Sequence, residues 1–494
     1  MGYTHISTLD IAMKTLRTLS ILSALALVAP FVNGAEVTSA KKPNIVFILA
    51  DDLGFAELSC NGGEAYKTPH IDALAKGGIR FNHFYTVPLC GPSRALILTG
   101  RYGFRTRAVS QDGSGTMIRE GEGAEVMIPT VLKKAGYTSA LIGKWGQILP
   151  CGDAKQWGFD HVLSYKASGI FWNVAKSAEL IKSSKLEGEK GAEGGVRAKP
   201  GPYNINEKNL TLADNEYMPD LMEKNAFEFI NNNKDKPFFL YYSLSHVHAQ
   251  ILPTPDSKAL PDDADAAKRL ALTYNDNIQY MVKLVGNLVA ELERLKLREN
   301  TLVIFMGDNG TAKAQSDRAT INGKRTIGSK GTMQEGGALV PFIVNWPGVT
   351  PGDKLNENIS DSSDLLPTFA EIAGAPLPEN RVIDGKSLLP QIKGVSTSPR
   401  AWSFIVLGKS WYVREAGWKL NEKGELFDMK DAPFNEILVP ADSKDPAAIA
   451  AYERLSKVLA ELNPAGGFVD TGSGRGGDKE AKKAKKADKA AKVK

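Results

Sequence analysis

The sequence predicts an α/β protein: a mostly parallel central sheet flanked by helices, then a small C-terminal subdomain that contains an antiparallel sheet. Three features predict it. Short runs that are apolar on both faces end abruptly in polar residues, as the central strands of a sheet covered on both faces do. Helix signals separate these runs. After about residue 390 the alternation weakens, and short strand-like segments follow one another without intervening helices.

The first strand is expected at Asn44-Ile45-Val46-Phe47-Ile48-Leu49-Ala50, stopping at Asp51-Asp52-Leu53-Gly54. Thr138-Ser139-Ala140-Leu141-Ile142 ends at Gly143-Lys144. Pro237-Phe238-Phe239-Leu240-Tyr241-Tyr242 runs through Ser243 and Ser245 to His246-Val247-His248, and Thr301-Leu302-Val303-Ile304-Phe305-Met306 ends at Gly307-Asp308-Asn309-Gly310. Four strands thus deliver polar groups at their carboxyl ends, where ligands gather in open α/β sheets. Between them, Thr68-Pro69 opens a helix that Gly77-Gly78 closes, and Pro129 opens one that Gly136 closes. Residues 263–296 place Ile278, Met281, Val282, Val285, Leu288 and Leu292 on one helical face. Beyond 390, segments 402–406, 410–414, 418–420 and 425–428 read as antiparallel strands, with a helix from about 446 to 462 packed on them.

With 494 residues the chain can hold one large domain and smaller parts. Residues 1–35 read as a secretory signal peptide: Met13, Lys14 and Arg17 precede an apolar stretch over 19–32 and the small residues Gly34 and Ala35. An exported protein, periplasmic or secreted, is expected, with no later stretch apolar enough to be a transmembrane segment. The expected divisions are that signal, a catalytic α/β domain at 42–390, a small α+β subdomain at 391–465, and a disordered Gly- then Lys/Ala-rich tail at 466–494. The formal charge of +5 belongs to the tail, where residues 475–494 hold eight lysines and one arginine against Asp478, Glu480 and Asp488. The body is close to neutral, which removes the main support for nucleic-acid binding. Of the three cysteines, Cys60 and Cys151 remain for a bridge, or as two free thiols, if Cys90 is consumed in chemistry.

Cys90-Gly91-Pro92-Ser93-Arg94, running on into Ala95-Leu96-Ile97-Leu98-Thr99-Gly100-Arg101, is the most informative motif. Pro92 suits the first turn of a helix whose apolar run is buried. Cys90 then lies at a helix N-terminus, where free N–H groups and the dipole favour an anion, with Arg94 one turn along. Asp51, Asp52, Asp308 and Asn309 would gather three carboxylates and an amide oxygen, a set that suits a hard cation such as calcium rather than zinc. A single Asp-Asp at a strand end is more often a turn or cap; two such ends beside the cysteine motif favour a metal site.

Together these motifs resemble the formylglycine-dependent sulfatases of the alkaline-phosphatase-like superfamily, with gaps, from residue 42 to about 429. The resemblance implies the alkaline-phosphatase-like fold and a sulfuric ester hydrolase. It implies that a maturase oxidises Cys90 to formylglycine (3-oxoalanine), and that Asp51, Asp52, Asp308, Asn309 and the modified Cys90 ligate one divalent cation, Ca2+. Arg94, Lys144, His248 and Lys330 match positions the family uses around the sulfate. In that scheme the aldehyde hydrate attacks sulfur, and its second hydroxyl later expels sulfate without a hydrolytic water. Arg94 would hold the hydrate, both lysines would neutralise sulfate oxygens, and His248 would protonate the leaving oxygen with help from Lys330. Lys330 lies in Ser329-Lys330-Gly331-Thr332-Met333-Gln334-Glu335-Gly336-Gly337, close to the family's Lys-Gly-x-x-x-Glu-Gly-Gly. Sulfated carbohydrates are the expected substrates of an exported member.

The chain also departs from that pattern. Gly143-Lys144-Trp145-Gly146-Gln147 lacks the histidine of Gly-Lys-Trp-His, the family's base in the eliminating step; His246, Gln147 through a water, or His161 are the alternatives. Leu339 stands where arginine is usual, and His246-Val247-His248-Ala249-Gln250 lacks the flanking prolines. Two other readings therefore stay open: a phosphodiester or phosphonate hydrolase using the same nucleophile, or a catalytically impaired homologue that binds sulfoglycans. Residues 152–220 match no motif, and Phe171 and Trp172 there suit either a sugar platform or a satellite core.

Overall fold

The computed structural model describes residues 1–2, 41–121, 123–146, 153–165, 171–185, 203–249, 251–395 and 397–467. The expected signal beyond its first two residues, Gln147, Cys151 with its bridge to Cys60, and the tail from 468 lie outside the described residues. Everything below belongs to the compact unit Lys42–Lys494.

Asn44–Ala50 lies inside a ten-stranded sheet and is buried at every residue. Val46, Ile48 and Ala50 enter the core on one face, and Ile45, Phe47 and Leu49 enter the core on the other. A strand with no polar side is stable only where helices cover both faces. Phe238–Leu244 and Thr301–Gly307 flank it in parallel, and Thr138–Lys144 and His161–Tyr165 continue the parallel set beyond Phe238–Leu244. From one edge the order is Lys354–Asn356, Ile79–Phe81, Phe342–Asn345, Thr301–Gly307, Asn44–Ala50, Phe238–Leu244, Thr138–Lys144, His161–Tyr165, Tyr203–Ile205 and Lys208–Leu210. Phe342–Asn345 and Tyr203–Ile205 each run antiparallel to both neighbours. The four expected strands are all present; the others are too short to show a period.

Register decides where the polar residues go. Ala50 pairs with both Leu244 and Gly307, and Gly143 pairs with Ser243, so the four carboxyl ends are level to within about a residue. Asp51, Lys144, Ser245 and Asp308 therefore leave the sheet at one edge. Helices Pro69–Lys76, Met218–Asn233 and Ala266–Arg294 cover one face, while Cys90–Thr99, Ile128–Lys133 and Leu365–Ala373 cover the other. The long helix starts at its cap: the Asp265 carboxylate accepts from the Lys268 N–H at 2.7 Å.

At the C-terminal end, Ser403–Leu407, Ser410–Arg414, Trp418–Asn421, Leu426–Asp428 and Ile437–Leu438 form an antiparallel sheet in chain order. Helix Pro446–Leu462 lays Ala448, Ala451 and Leu455 on Val413, Leu420 and Leu426. Among the described residues no helix is long and apolar enough to cross a membrane. Phe171 and Trp172 belong to the core and form no sugar platform. The indole N–H of Trp172 donates to the Pro253 carbonyl at 2.8 Å, and its ring packs on Tyr217 at 4.6 Å between centroids.

Candidate active site

The helix Cys90–Thr99 begins at Cys90 and buries all ten of its residues at the sheet edge. The Ser93 hydroxyl donates to the Asp308 carbonyl and shares a hydrogen bond with Thr86, which fixes the helix against the loop after Thr301–Gly307. Arg94 is fully buried and fans out from the next turn. Its Nε donates to Asp308 Oδ2 at 3.0 Å, Nη2 lies 2.9 Å from the same oxygen and 3.5 Å from Asp51 Oδ1, and Nη1 donates to Ser243 Oγ and the Lys144 carbonyl at 2.8 Å each. One guanidinium thereby ties four strand ends together.

Asp51 and Asp52 follow directly on Asn44–Ala50. Asp52 adopts φ +62°, a conformation Asp tolerates better than most side chains, and its N–H donates to Asp308 Oδ1 at 3.0 Å. Cys90 Sγ lies 3.7 Å from Asp52 Oδ1. Lys144 Nζ donates to Asp51 Oδ2 at 2.6 Å, and Lys330 Nζ donates to Asp52 Oδ2 at 2.8 Å and approaches His248 Nε2 at 3.3 Å. His248 Nε2 is also 3.7 Å from Asp52 Oδ2, while Nδ1 faces the Ala249 carbonyl. Asp51, Asp52, Cys90 and His248 each offer a ligand atom within 4.8 Å of the others. Asn309 donates through Nδ2 to Asp52 Oδ1 and to the Gly310 carbonyl, both at 2.8 Å, which leaves its buried Oδ1 without a hydrogen-bond partner.

Three carboxylates this close cannot all ionise freely. Burial alone would raise Asp51 and Asp52, but Lys144 beside the first and Lys330 beside the second, with His248, hold both below the usual range. Asp308 is pushed up to about 7, by burial first and by the charge of Asp51 second, despite Arg94. Burial also lifts the Cys90 thiol well above its ordinary value, so the unmodified side chain is a poor nucleophile. His248 is lowered by burial and by Lys144, against the pull of Asp52 and Asp51.

The site thus brings together Cys90, Arg94, Lys144, His248, Lys330, Asp51, Asp52, Asp308 and Asn309. The alternatives to the absent histidine fare differently. His161 opens its strand at the amino edge, paired with Ala140, where Asn225 and Asn206 occupy its ring nitrogens; it is on the wrong side of the sheet. His246 is buried between Phe171 and Tyr280, neither ring nitrogen has a hydrogen-bond partner, and burial lowers it to about 3. Gly146 has φ +77°, and a Cβ there would lie 2.4 Å from Arg94 Cδ. Leu339 packs in an apolar cluster with Phe55 and Tyr85.

Sequence reasoning did not find Gln111, whose Oε1 accepts from the Gly91 N–H at 2.9 Å while Nε2 donates to the Gly146 carbonyl at 3.3 Å. It also missed Thr311, whose hydroxyl accepts from the Gly54 N–H at 2.8 Å. Thr311 follows an Asp-Asn-Gly turn and could have been suspected; Gln111 carries no local signal. The paired glycines of two motifs do have a legible reason. A Cβ on Gly310 would lie 1.8 Å from the Gly336 carbonyl, so the two loops can touch only with glycine at 310, and a Cβ on Gly336 would lie 2.6 Å from the Gly328 carbonyl within its own loop.

A parallel sheet whose carboxyl edge gathers acidic residues, lysines and the capping end of a Cys-x-Pro-Ser-Arg helix defines the alkaline-phosphatase-like class of hydrolases. The sulfatase family profile matches residues 43–375. Human arylsulfatase A is 33% identical over 405 residues, covering 78% of this chain and 73% of that protein. Rat steryl-sulfatase is 31% identical over 418 residues, with 71% and 70% covered, and mouse N-acetylgalactosamine-6-sulfatase 32% over 395, with 76% and 70%. The crystal structure of Ps i-CgsB in complex with k-i-k-neocarrahexaose superposes with a TM-score of 0.68 at 26% identity, covering 86% of this chain and 92% of that one. The chain belongs to the sulfatase family and is an enzyme of that class, a hydrolase of sulfate esters.

Proposed function

We propose that the protein removes sulfate from carbohydrates, using Cys90 matured to formylglycine beside one calcium ion held by Asp51, Asp52, Asp308 and Asn309. The observation that carries this reading is the convergence on Cys90 of two acidic strand ends, with Lys144, Lys330, Arg94 and His248 around them. The donor set fits the ion: every proposed ligand atom from these four residues is an oxygen, and Asn309 Oδ1 and Asp51 Oδ1 are buried without hydrogen-bond partners. When present, the ion supplies Lewis acidity and the formylglycine supplies the nucleophilic oxygen.

The chain's own residues do the rest. Arg94 fixes Asp51 and Asp308 relative to the helix that carries residue 90, so the acidic residues keep their spacing. Lys144 and Lys330 place positive charge where sulfate oxygens would lie. Lys330 Nζ, directed at His248 Nε2, holds a proton at the more open side of the site, where the leaving alcohol oxygen would be met. The carbohydrate assignment draws on the N-acetylgalactosamine-6-sulfatase and neocarrahexaose relatives. Export, and encounter with the maturase, rest on the signal-like segment at 1–35.

Co-expression with a formylglycine-generating maturase, then mass measurement of the peptide containing Cys90, tests the first step: residue 90 should lose sulfur and two hydrogens and gain one oxygen. The matured protein should release sulfate from sulfated oligosaccharides, faster than it cleaves an aryl phosphodiester, and Cys90→Ala should release none while remaining folded. Unchanged Cys90 mass, a faster phosphodiester reaction, or sulfate release by Cys90→Ala each defeats the reading.

A further inference from the structure

We propose that Arg414, on the C-terminal sheet, is a positioning residue: through Glu335 it holds the loop that presents Lys330 to the site. The inference rests on the function proposed above. Arg414 Nε donates to Glu335 Oε1 at 2.8 Å, and both side chains are almost wholly buried, at 1% and 2% exposure. Tyr85 donates its hydroxyl to the other oxygen at 2.9 Å and lays its ring 5.2 Å from the guanidinium. The Glu335 N–H donates to Glu436 at 3.1 Å, Glu436 pairs with Lys419, and Lys419 Nζ donates to the Met333 carbonyl at 3.2 Å. At the other end of the loop the Ile327 N–H donates to the Pro433 carbonyl at 2.9 Å.

Residues 327 and 333–335 are thus gripped by the C-terminal sheet and its connecting loops, while the tip between them touches the site. The Lys330 N–H donates to the Thr311 carbonyl at 2.9 Å, the Gly331 N–H donates to the Pro88 carbonyl at 2.7 Å, and Lys330 Nζ reaches Asp52 at 2.8 Å. Pro88 is two residues before Cys90. Glu335 belongs to the same short motif as Lys330 but points away from the chemistry, which assigns it to the grip. A desolvated ion pair is a costly way to join two layers, since apolar side chains of similar size serve stability as well. What the pair adds is a fixed direction, and displacing a reacting group by about 1 Å can cost a hundredfold in rate.

The test is a paired replacement, Arg414→Met with Glu335→Gln, which leaves no buried charge unpaired, made in the parent and in Lys330→Ala. With matured enzyme and an aryl sulfate, kcat should fall on the order of tenfold to a hundredfold in the parent, with KM within about threefold. In Lys330→Ala the same pair should cost less than about threefold, because the group it positions is gone. Equal losses in both backgrounds, or no loss in the parent, overturn the proposal. Amide exchange gives a readout independent of turnover: Lys330 and Gly331 should exchange faster in the paired variant while residues 45–50 do not. Unchanged exchange at 330 and 331 overturns it even if the protein proves not to be a sulfatase. Lys419→Met with Glu436→Gln, a second cut of the same grip that also leaves no buried charge unpaired, is read by the same two measurements if the first paired variant does not fold.

Discussion

Gly146 is where a side chain that the family uses is absent, and the obvious remedy is to restore it. The structure predicts that this fails. At φ +77° any other L-residue is strained, by about 1–2 kcal/mol. The added Cβ would also lie 2.4 Å from Cδ and 2.8 Å from Nε of Arg94, so the arginine stem has to move. That stem cannot move alone, because its guanidinium is bonded to Asp308, Ser243 and the Lys144 carbonyl in a fully buried setting. Loosening one such charge-assisted bond costs about 1.5–3 kcal/mol. Gly146→Ala is therefore expected to lose about 2.5–5 kcal/mol of stability in total, as the sum of strain and one weakened bond. It should also lose on the order of a hundredfold in kcat as Asp51 and Asp308 drift from residue 90. Gly146→His should be no better, since it meets the same arginine before its ring reaches the site. Urea midpoints and initial rates on an aryl sulfate, measured on matured protein, decide the matter. A Gly146→His enzyme faster than its parent, or a Gly146→Ala enzyme within about twofold of it, refutes the reasoning.

Other consequences are as direct. Asp308 sits above its unfolded value in the ion-free chain, so its contribution to stability is full below about pH 4 and is lost as pH rises towards about 7. The proposed cation would compete with that proton; stabilisation by calcium, read as the urea midpoint with calcium minus that with chelator, should grow between pH 5 and pH 8, and equal increments would put the ion elsewhere. His246→Phe should keep kcat and cost less than about 1.5 kcal/mol, because the ring sits among aromatics and bonds to nothing through its nitrogens. A lost turnover there would make His246 the missing base. His248→Ala should lose on the order of a hundredfold or more in kcat, with unchanged turnover removing it from proton transfer. Arg400→Met strands Asp361 and Asp364, both fully buried, and should cost about 3–5 kcal/mol while the folded fraction turns over normally; an undiminished urea midpoint would contradict it.

Much of the architecture was legible because its central strands are extreme. Residues 44–50 and 301–307 have no polar face, and only the interior of a covered parallel sheet accepts such a run. The outer strands, such as Lys354–Asn356 and Tyr203–Ile205, are three residues long and take their conformation from neighbours rather than from any pattern of their own. The acidic pairs were legible as strand-end punctuation, and level register turned four separate sequence positions into one edge. What sequence could not give is which groups neutralise which: Lys144 selects Asp51 and Lys330 selects Asp52 through contacts spanning 93 and 278 residues.

Gly146 shows the limit most clearly. Read along the chain, it is a deletion of chemistry beside Lys144, and the natural question is which other base fills the gap. Read in space, the volume belongs to Arg94, whose Cδ and Nε lie where a side chain would begin. The glycine then has a reason of its own, because it lets a buried arginine pass close to the backbone and reach the Lys144 carbonyl, Ser243 and Asp308 at once. A histidine at 146 and an arginine in this pose exclude one another. Under the function proposed above, the proton removed in the last chemical step would go to a group that shares the site with Arg94, and among the described residues His248 offers an imidazole nitrogen within 4.8 Å of ligand atoms of Cys90, Asp51 and Asp52.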